Sequence, residues 1–432
     1  MQKPVLSPAA ILLPAKDCDW PRWAALACDQ FTSEPGYWQE AESFTGEAPG
    51  TLRITLPEVY LEQPGCDERI ADIHTAMGEY TSAVLTREAT GYIYVERTLQ
   101  NGAVRQGIVG CIDLEDYSYL PGAATRIRPS EETIVERIPP RLAVRRGAPL
   151  ETPHILMLAN DPQKTLIEPL AAEKASMPLL YDFDLMLGGG HIRGWEVSDP
   201  DILQRIAGAL AQLEEPENFY TGCGIAHGEA QPFALAVGDG NHSLATAKAY
   251  WEEIKTSLPP ALQENHPARF CLVEVENIHS EAIEIEPIHR VVFGVRDEDM
   301  LQGMTMKAQA LSAKVGPYGQ EDGQSFVFTQ NGVDTKFSIS QMRRPLAVGT
   351  VDYLLDALRE DFPAMKIDYI HGEASVRQLA QEGALGILLP SFEKRDLFRG
   401  VALGGVLPRK TFSMGHAREK RYYLECRRIS PE

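Results

Sequence analysis

The sequence predicts a mixed α/β fold. Three observations carry that reading. Strand-like and helix-like runs interleave along the whole chain, two Asn-Gly dipeptides sit between paired strand candidates, and a short apolar strand passes into a helix through Gly238-Asp239-Gly240-Asn241-His242-Ser243.

Taken in order, Ala9 to Leu13 reads as a short strand, and Trp20 to Ala27 as helix or extended chain leading to Cys28-Asp29-Gln30. Ser33-Glu34-Pro35 marks a helix start. Asp67 to Leu85 places Ile70, Ile73, Met77, Tyr80 and Val84 at three- and four-residue spacing, an amphipathic helix with one buried stripe. Gly91 to Leu99 and Val104 to Leu114 flank Asn101-Gly102, a dipeptide that tolerates the positive φ of a tight hairpin turn. His154 to Leu158, Thr165 to Pro169 and Leu179 to Leu185 are strand candidates, the last turning through Gly188-Gly189-Gly190 into His191 to Val197. Ser198 or Asp199 before Pro200 is an N-cap signal for a helix to about Leu213. Phe233 to Val237 is the strand before the glycine turn, and a helix follows to Ile254. Phe270 to Val275 is a further strand, and the alternation from Ile283 to Glu286 suggests another with one buried face. Ser325 to Thr329 and Thr335 to Ile339 form a second hairpin across Asn331-Gly332, and helices near Tyr353 to Leu358 and Ala374 to Gln381 precede a strand at Ala384 to Leu389.

Composition bounds what this scaffold does. The 432 residues suggest two to three domains at roughly 150 residues each, drawn here as 1–125, 126–295 and 296–432. The 41 basic residues against 61 acidic ones leave a net charge of −20, which disfavours nucleic acid and anionic membranes as partners. No apolar run reaches the ~18 residues of a membrane span, so a cytoplasmic address is expected. The 7 cysteines contain no CxxC pair, and the histidines no HExxH, so neither a disulfide framework nor a zinc enzyme is suggested. GxSxG and a strand-following GxGxxG are missing as well.

The segment from Gly238 to Ser243 is the most chemically loaded. Backbone N–H groups at a helix start lack intrahelical partners, and the helix dipole adds positive potential, so a phosphate can be held there. Glycine allows close approach. Asp239 could hold a metal or accept a proton, and His242 could donate to a phosphoryl oxygen. A plain tight turn capped by Asp239 or Asn241 accounts for the same residues equally well. Arg126 and Arg128 alternate on an extended run before Ser130-Glu131-Glu132-Thr133, a spacing that puts both guanidiniums on one face and suits a phosphate or carboxylate. A solvated edge strand balanced by the glutamates is the stronger reading of that pattern alone.

With these residues in view, the chain resembles the bacterial and archaeal family known as domain of unknown function 1015, whose hallmark here is Ala-Asp-Gly-His-His-Arg-Tyr-Glu-Thr-Ala. The resemblance extends to Cys28-Asp29-Gln30, to Ser130-Glu131-Glu132-Thr133 where the family has His-Glu-x-Thr, to His191 through Trp195, to Pro287-Ile288-His289-Arg290-Val291 and to Leu407-Pro408-Arg409-Lys410-Thr411. The hallmark in turn is similar to the turn of the ParB/sulfiredoxin-like superfamily, which includes partition proteins, sulfiredoxins and free-serine kinases. That resemblance implies a nucleotide-binding core with large insertions and a C-terminal α/β subdomain.

It also implies that Gly238, Asp239, Gly240, Asn241, His242 and Ser243 hold nucleotide phosphate, with Asp239 engaging Mg²⁺. Asp29 is the positional match for the kinases' acidic base, with Glu131 as the other candidate. The chain departs from the hallmark at Asn241, at Ser243 in place of arginine, and at Ser130 in place of histidine. Serine cannot imitate a bidentate guanidinium, so Arg126, Arg128 or Arg290 would have to replace it in space. The function this implies is an ATP- or ADP-dependent phosphotransferase acting on a small hydroxylated metabolite, free serine being the most specific expectation. The alternative is a nucleotide- or metabolite-sensing protein without turnover.

Overall fold

The computed structural model describes residues 3–431 apart from Ser33, Glu62, Pro121, Arg343, Pro345, Phe392 and Arg409. Ser33 of the expected helix start and Arg409 of the late motif therefore lie outside the described residues. The fold is mixed α/β, with 13 α-helices and 18 strands among the described residues. No helix among them is long and apolar enough to cross a membrane.

The chain divides into two compact units, one of residues 1–222, 226–283 and 415–432, the other of 223–225 and 284–414. Residues 126–283 share a unit with 1–125 except for the short stretch 223–225, and the chain returns to that unit at 415.

The first unit is built on a nine-stranded sheet. Its strands are β1 (Ala9–Leu13), β2 (Arg87–Thr98), β3 (Val104–Asp113), β4 (Ile127–Pro129), β6 (Leu156–Ala159), β7 (Leu179–Asp184), β8 (His191–Val197), β9 (Leu235–Asp239) and β10 (Phe270–Asn277), while β5 (Leu150–Glu151) pairs apart with β18 (Arg427–Arg428). The order is β4-β9-β6-β10-β3-β2-β8-β7, with β1 added to β2. Both faces are covered, and successive side chains feed opposite cores because a strand has a period of two. Ile93, Val95 and Leu272 enter one core with Trp23, Trp38 and Tyr80; Tyr92, Tyr94, Val273 and Val275 enter the other with Ile206, Leu244 and Trp251. Strands covered on both sides carry short unbroken apolar runs, as in Tyr92-Ile93-Tyr94-Val95 of β2 and Phe270-Cys271-Leu272-Val273 of β10.

The expected hairpin closes at Asn101-Gly102, where Gly102 takes a φ of +84°. Asp199 caps the Pro200–Glu214 helix, its Oδ1 accepting from the N–H groups of Asp201 (2.9 Å) and Ile202 (3.2 Å). Thr165 to Pro169, expected as a strand, is instead a turn into the Glu168–Glu173 helix. The Asp161 carboxylate accepts from the N–H groups of Thr165 (2.6 Å) and Leu166 (2.8 Å), and proline occupies the helix's first turn. A side chain that captures backbone donors in this way competes with sheet pairing.

The second unit carries a seven-stranded sheet: β11 (Ile285–Phe293), β12 (Lys314–Pro317), β13 (Gly323–Gln330), β14 (Val333–Ser340), β15 (Lys366–His371), β16 (Leu385–Leu388) and β17 (Phe412–Met414). Asn331 and Gly332 turn the β13–β14 hairpin at φ values of +52° and +79°, the two positive angles a type I′ turn demands. The strand read from Ile283 begins two residues later, at Ile285. All seven cysteines are free thiols, four of them buried.

Asp199→Ala should lower stability by about 1 kcal/mol, the usual cost of losing an N-cap oxygen, read as a shift of the guanidinium midpoint. Asp199→Ser, which keeps the acceptor, should stay close to the parent.

Candidate functional site

Strand β9 lies between β4, to which it is parallel, and β6, to which it is antiparallel. The register with β4 pairs Pro129 with Val237, so Ser130-Glu131 leaves the sheet beside Gly238-Asp239. On the other side, Met157 pairs with Val237 and Leu156 with Asp239, which leaves Gly238 as the extra residue of a β-bulge. A bulge re-aims the residue that follows it. Here that residue is Asp239, which faces the chain entering β6 at His154.

Gly240 then takes a φ of +77° and caps the Asn241–Lys255 helix with no side-chain hydrogen bond. A Cβ at Gly240 would come within 3.1 Å of the Ile155 Cα and 3.4 Å of His154 Cδ2. The angle therefore favours glycine, and a side chain here would also have to push the Ile155 backbone back by a few tenths of an ångström. The helix start is pressed against the strand that bears His154, and its first N–H groups have no intrahelical acceptor.

Four charged or titratable groups meet at this end of the sheet. Lys420 Nζ lies 3.2 Å from Asp239 Oδ2, and Asp239 Oδ1 accepts from the Gly240 N–H at 3.0 Å. His154 Nε2 lies 3.7 Å from Asp29 Oδ2, while its Nδ1 shares a 2.9 Å hydrogen bond with the Tyr423 hydroxyl. Tyr423 also accepts from the Cys28 N–H at 3.2 Å, tying its ring to the segment that carries Asp29. Burial pulls the Asp239 carboxyl upward in pKa, but Lys420, His154 and the Gly240 N–H outweigh it and hold the acid below its ordinary value. Burial, with Asp29 and Glu58 close by, pushes the Cys28 thiol well up, so it stays protonated and is no nucleophile.

Two buried guanidiniums set the Lys420 segment. Arg97 gives Nε–H and Nη2–H to the Gly189 carbonyl (3.1 and 2.8 Å), and its remaining N–H groups to the carbonyls of Arg418, Glu419 and Lys420 at 2.6 to 2.9 Å. Arg421 pairs with Glu274 (2.6 Å) and Glu425 (2.7 Å) and donates to the Pro153 carbonyl, next to His154.

Among the residues singled out from sequence, the structure brings Asp29, Gly238, Asp239, Gly240, Asn241 and His242 to this end of the sheet, with Glu131 half-buried beside them. His242 Nε2 accepts from the Ile134 N–H at 3.2 Å, so the neutral ring carries its proton on Nδ1. Ser243 is half-buried on the first turn of the helix.

The three arginines are each engaged by groups of the protein itself. Arg126 lies before β4, at the opposite end of that strand from the turn, where it grips both oxygens of Glu214 (2.7 and 2.5 Å) and reaches Asp116 (2.9 Å). Arg128 donates to the carbonyls of Gln231 (3.0 Å) and Thr125 (3.3 Å) and covers the Phe233 ring. Arg290 belongs to the second unit, fully buried, bidentate to Asp352 (2.8 and 2.7 Å) and bonded to the Ile288 and Lys410 carbonyls. Acids and carbonyls within the protein already engage these guanidiniums. The cation at the turn is Lys420. His154, Lys420 and Tyr423 were not singled out from sequence; the one visible trace was the run Lys420-Arg421-Tyr422-Tyr423, a basic and aromatic cluster in an acidic chain.

The donor set bears on what this end of the sheet can hold. Among the described residues no three His, Cys, Asp or Glu side chains converge as a metal site. Mg²⁺ commonly binds through one or two carboxylates together with substrate phosphates, so Asp239 and Asp29 fit a metal that arrives with a nucleotide rather than one caged by protein. An anion fits better: the Ser130 hydroxyl is buried without a hydrogen-bond partner among the described residues and can donate, and the open helix start and Lys420 are donors.

A mixed α/β protein in which two parallel strands end beside a glycine turn and an uncapped helix start is the class that the fold defines. The chain belongs to the family described as protein of unknown function DUF1015, which matches residues 9–365. No curated protein matches it. Among solved structures it is similar to a mutant free serine kinase in complex with AMP, at 10% identity and a TM-score of 0.38 over 74% of this chain and 92% of that one. It is also similar to a C-terminally truncated SbnI from Staphylococcus aureus, at 11% identity and a TM-score of 0.35 over 71% and 82% of the two chains. A conserved hypothetical protein from Pyrococcus furiosus is similar at 10% identity and a TM-score of 0.33, over 73% and 90%. Likeness at these scores assigns neither a residue nor a ligand.

An acid whose folded pKa lies below its unfolded value adds stability above the unfolded pKa and loses it as pH falls through the folded one. Asp239 is such a group. The wild type should lose stability on acidification below about pH 4, the unfolded carboxylate range, more steeply than Asp239→Asn, measured as guanidinium midpoints along a pH series.

Proposed function

We propose that the protein is a nucleotide-dependent phosphotransferase acting on a small hydroxylated metabolite, with ATP or ADP as donor and free serine as the first acceptor to test. The observation that carries the reading is the meeting of an uncapped helix start, the Lys420 ammonium and two carboxylates, Asp29 and Asp239, at one end of the sheet. Phosphoryl transfer asks mainly for charge neutralisation and positioning, which these groups supply. The resemblance of the turn to the ParB/sulfiredoxin-like superfamily supports the same reading.

In this scheme the N–H groups from Asn241 to Ser243 and the Lys420 ammonium bind donor phosphate, and Asp239 holds Lys420 in place. His242, in the first turn of the helix, is the residue that stabilises the transferring group. Asp29 takes the acceptor's proton, oriented by His154, whose other nitrogen is fixed by Tyr423. Glu131, on the chain leaving β4, is the second candidate for that role. The acceptor oxygen bonds to phosphorus as the bond to the nucleotide breaks, the broken bond's electrons leaving on the nucleotide's phosphate oxygen. Mg²⁺ would supply charge neutralisation on the phosphates, with Asp239 as its protein carboxylate.

One observation favours a second reading, nucleotide sensing without turnover. Ser243 stands where the resembled hallmark has arginine, and the candidate replacements Arg126, Arg128 and Arg290 are already engaged by groups of the protein itself.

Purified protein with ATP or ADP, Mg²⁺ and a panel of hydroxylated metabolites should yield a phosphorylated product. Lys420→Ala should cut kcat by about 10²–10³, as for loss of a charge-stabilising donor, and Asp29→Asn by about 10²–10⁴, as for loss of a general base. Saturable nucleotide-dependent stabilisation with no product from any acceptor selects the sensing protein instead.

A further inference from the structure

Two side chains at the glycine turn carry hydrogen-bonding capacity that the protein leaves unused. Ser130 is only 1% exposed, and its Oγ has no partner among the described residues. Asn241 opens the Asn241–Lys255 helix half-buried, its Oδ1 shielded from water and likewise without a partner. Most buried polar groups are bonded, and one that is not costs free energy and calls for a reason.

The two belong to one place. Pro129 pairs with Val237 where the parallel strands end, and further along the same stretch the Ile134 N–H reaches His242 Nε2 at 3.2 Å. Residues 130–133 are therefore held at both ends against 238–241, through contacts between segments far apart in sequence. The fold gives no use for either side chain. The helix is capped by Gly240 with no side-chain hydrogen bond, so Asn241 does not serve as its cap. Ser130 ends β4 without its hydroxyl bonding to the turn that follows.

Their chemistry narrows what they can hold. A phosphate asks for donors, and the helix N–H groups and the Lys420 ammonium are there to supply them. Asn241 Oδ1 is an acceptor and has nothing to give an ionised phosphate oxygen. Ser130 can give one hydrogen bond and accept others. Neither group is charged. A ligand hydroxyl completes both, passing its own hydrogen to Asn241 Oδ1 while accepting one from Ser130 Oγ.

We infer that Ser130 and Asn241 form an uncharged subsite that reads a hydroxyl group of the ligand seated at the turn, and that they are kept for this selectivity at some cost to the fold. The ribose of a nucleotide and the acceptor molecule both carry such a group. The inference rests on the phosphotransferase reading for the choice of these ligands, and not on turnover.

Calorimetry on the full chain with Mg²⁺ tests it in two arms: ADP against 2′-deoxy-ADP and 3′-deoxy-ADP for the ribose, and L-serine against L-alanine in the presence of ADP for the acceptor. In one arm the hydroxylated ligand should bind at least about tenfold more tightly than its deoxy partner, because a site built around a hydroxyl leaves its own groups unpaired when that hydroxyl is missing. The arm that responds names the source. Ser130→Ala and Asn241→Ala should each bring that ratio to within about twofold. Both should leave the guanidinium midpoint of the free protein at or above the parent's, since each removes an unsatisfied group rather than a bond. No hydroxyl preference in either arm, binding of neither ligand, a preference that survives both substitutions, or a free protein that loses stability on either one overturns the inference. Failure of the phosphotransferase reading is a different result: no product from any acceptor, with the hydroxyl preference still measurable.

Discussion

Strand β9 is held between neighbours of opposite sense, and the site follows from that constraint. Its parallel pairing with β4 sends both chains out of the sheet at the same end, so the Ser130 loop and the glycine turn must lie together. Its antiparallel pairing with β6 starts the third strand at that same end, which brings His154 alongside. The bulge at Gly238 then decides which way Asp239 faces. Had the register run on unbroken, the side chain at 239 would have pointed to the other face, because a slip of one residue reverses every side chain beyond it.

The second support is a set of buried arginines. Arg97 and Arg421 are nearly inaccessible to water, yet their donors are matched by carbonyls and carboxylates. A charge buried in this way gives little net stability, but removing a partner leaves an uncompensated ion at a cost of about 3–5 kcal/mol. What such pairs supply is a single backbone arrangement. Residues 418 to 423 have little regular structure of their own, and the two guanidiniums hold them from either side of Lys420. The cation at the site is thus placed by charges that never reach the surface.

Much of the fold was legible because it is encoded locally. The Asn331-Gly332 turn, the Asp199-Pro200 helix start and the apolar runs of β2 and β10 each carry their instruction within a few residues. Thr165 to Pro169 did not, because the deciding donor contacts go to the Asp161 side chain rather than to a neighbouring strand. At the site, Asp239 and His242 stood out by residue type and by position at a strand-to-helix turn, and Asp29 only through the family resemblance. His154 and Tyr423 could not, since the bond joining them spans 269 positions in sequence. The arginines failed for the same reason in reverse. Nothing near Arg126 announces that Glu214, 88 residues on, will claim it.

The chain leaves the first unit at 284 and comes back to it at 415. On the ribosome, everything up to β10 emerges early, but Lys420, Arg421 and Tyr423 follow only after the whole second unit has been made. During that interval the buried acid Glu274 lacks its direct partner Arg421 and the Asp239 carboxylate its ammonium. The nascent first unit is therefore an unfinished shell with an acidic gap, and a chain released before position 420 would have most of a core but no competent cradle.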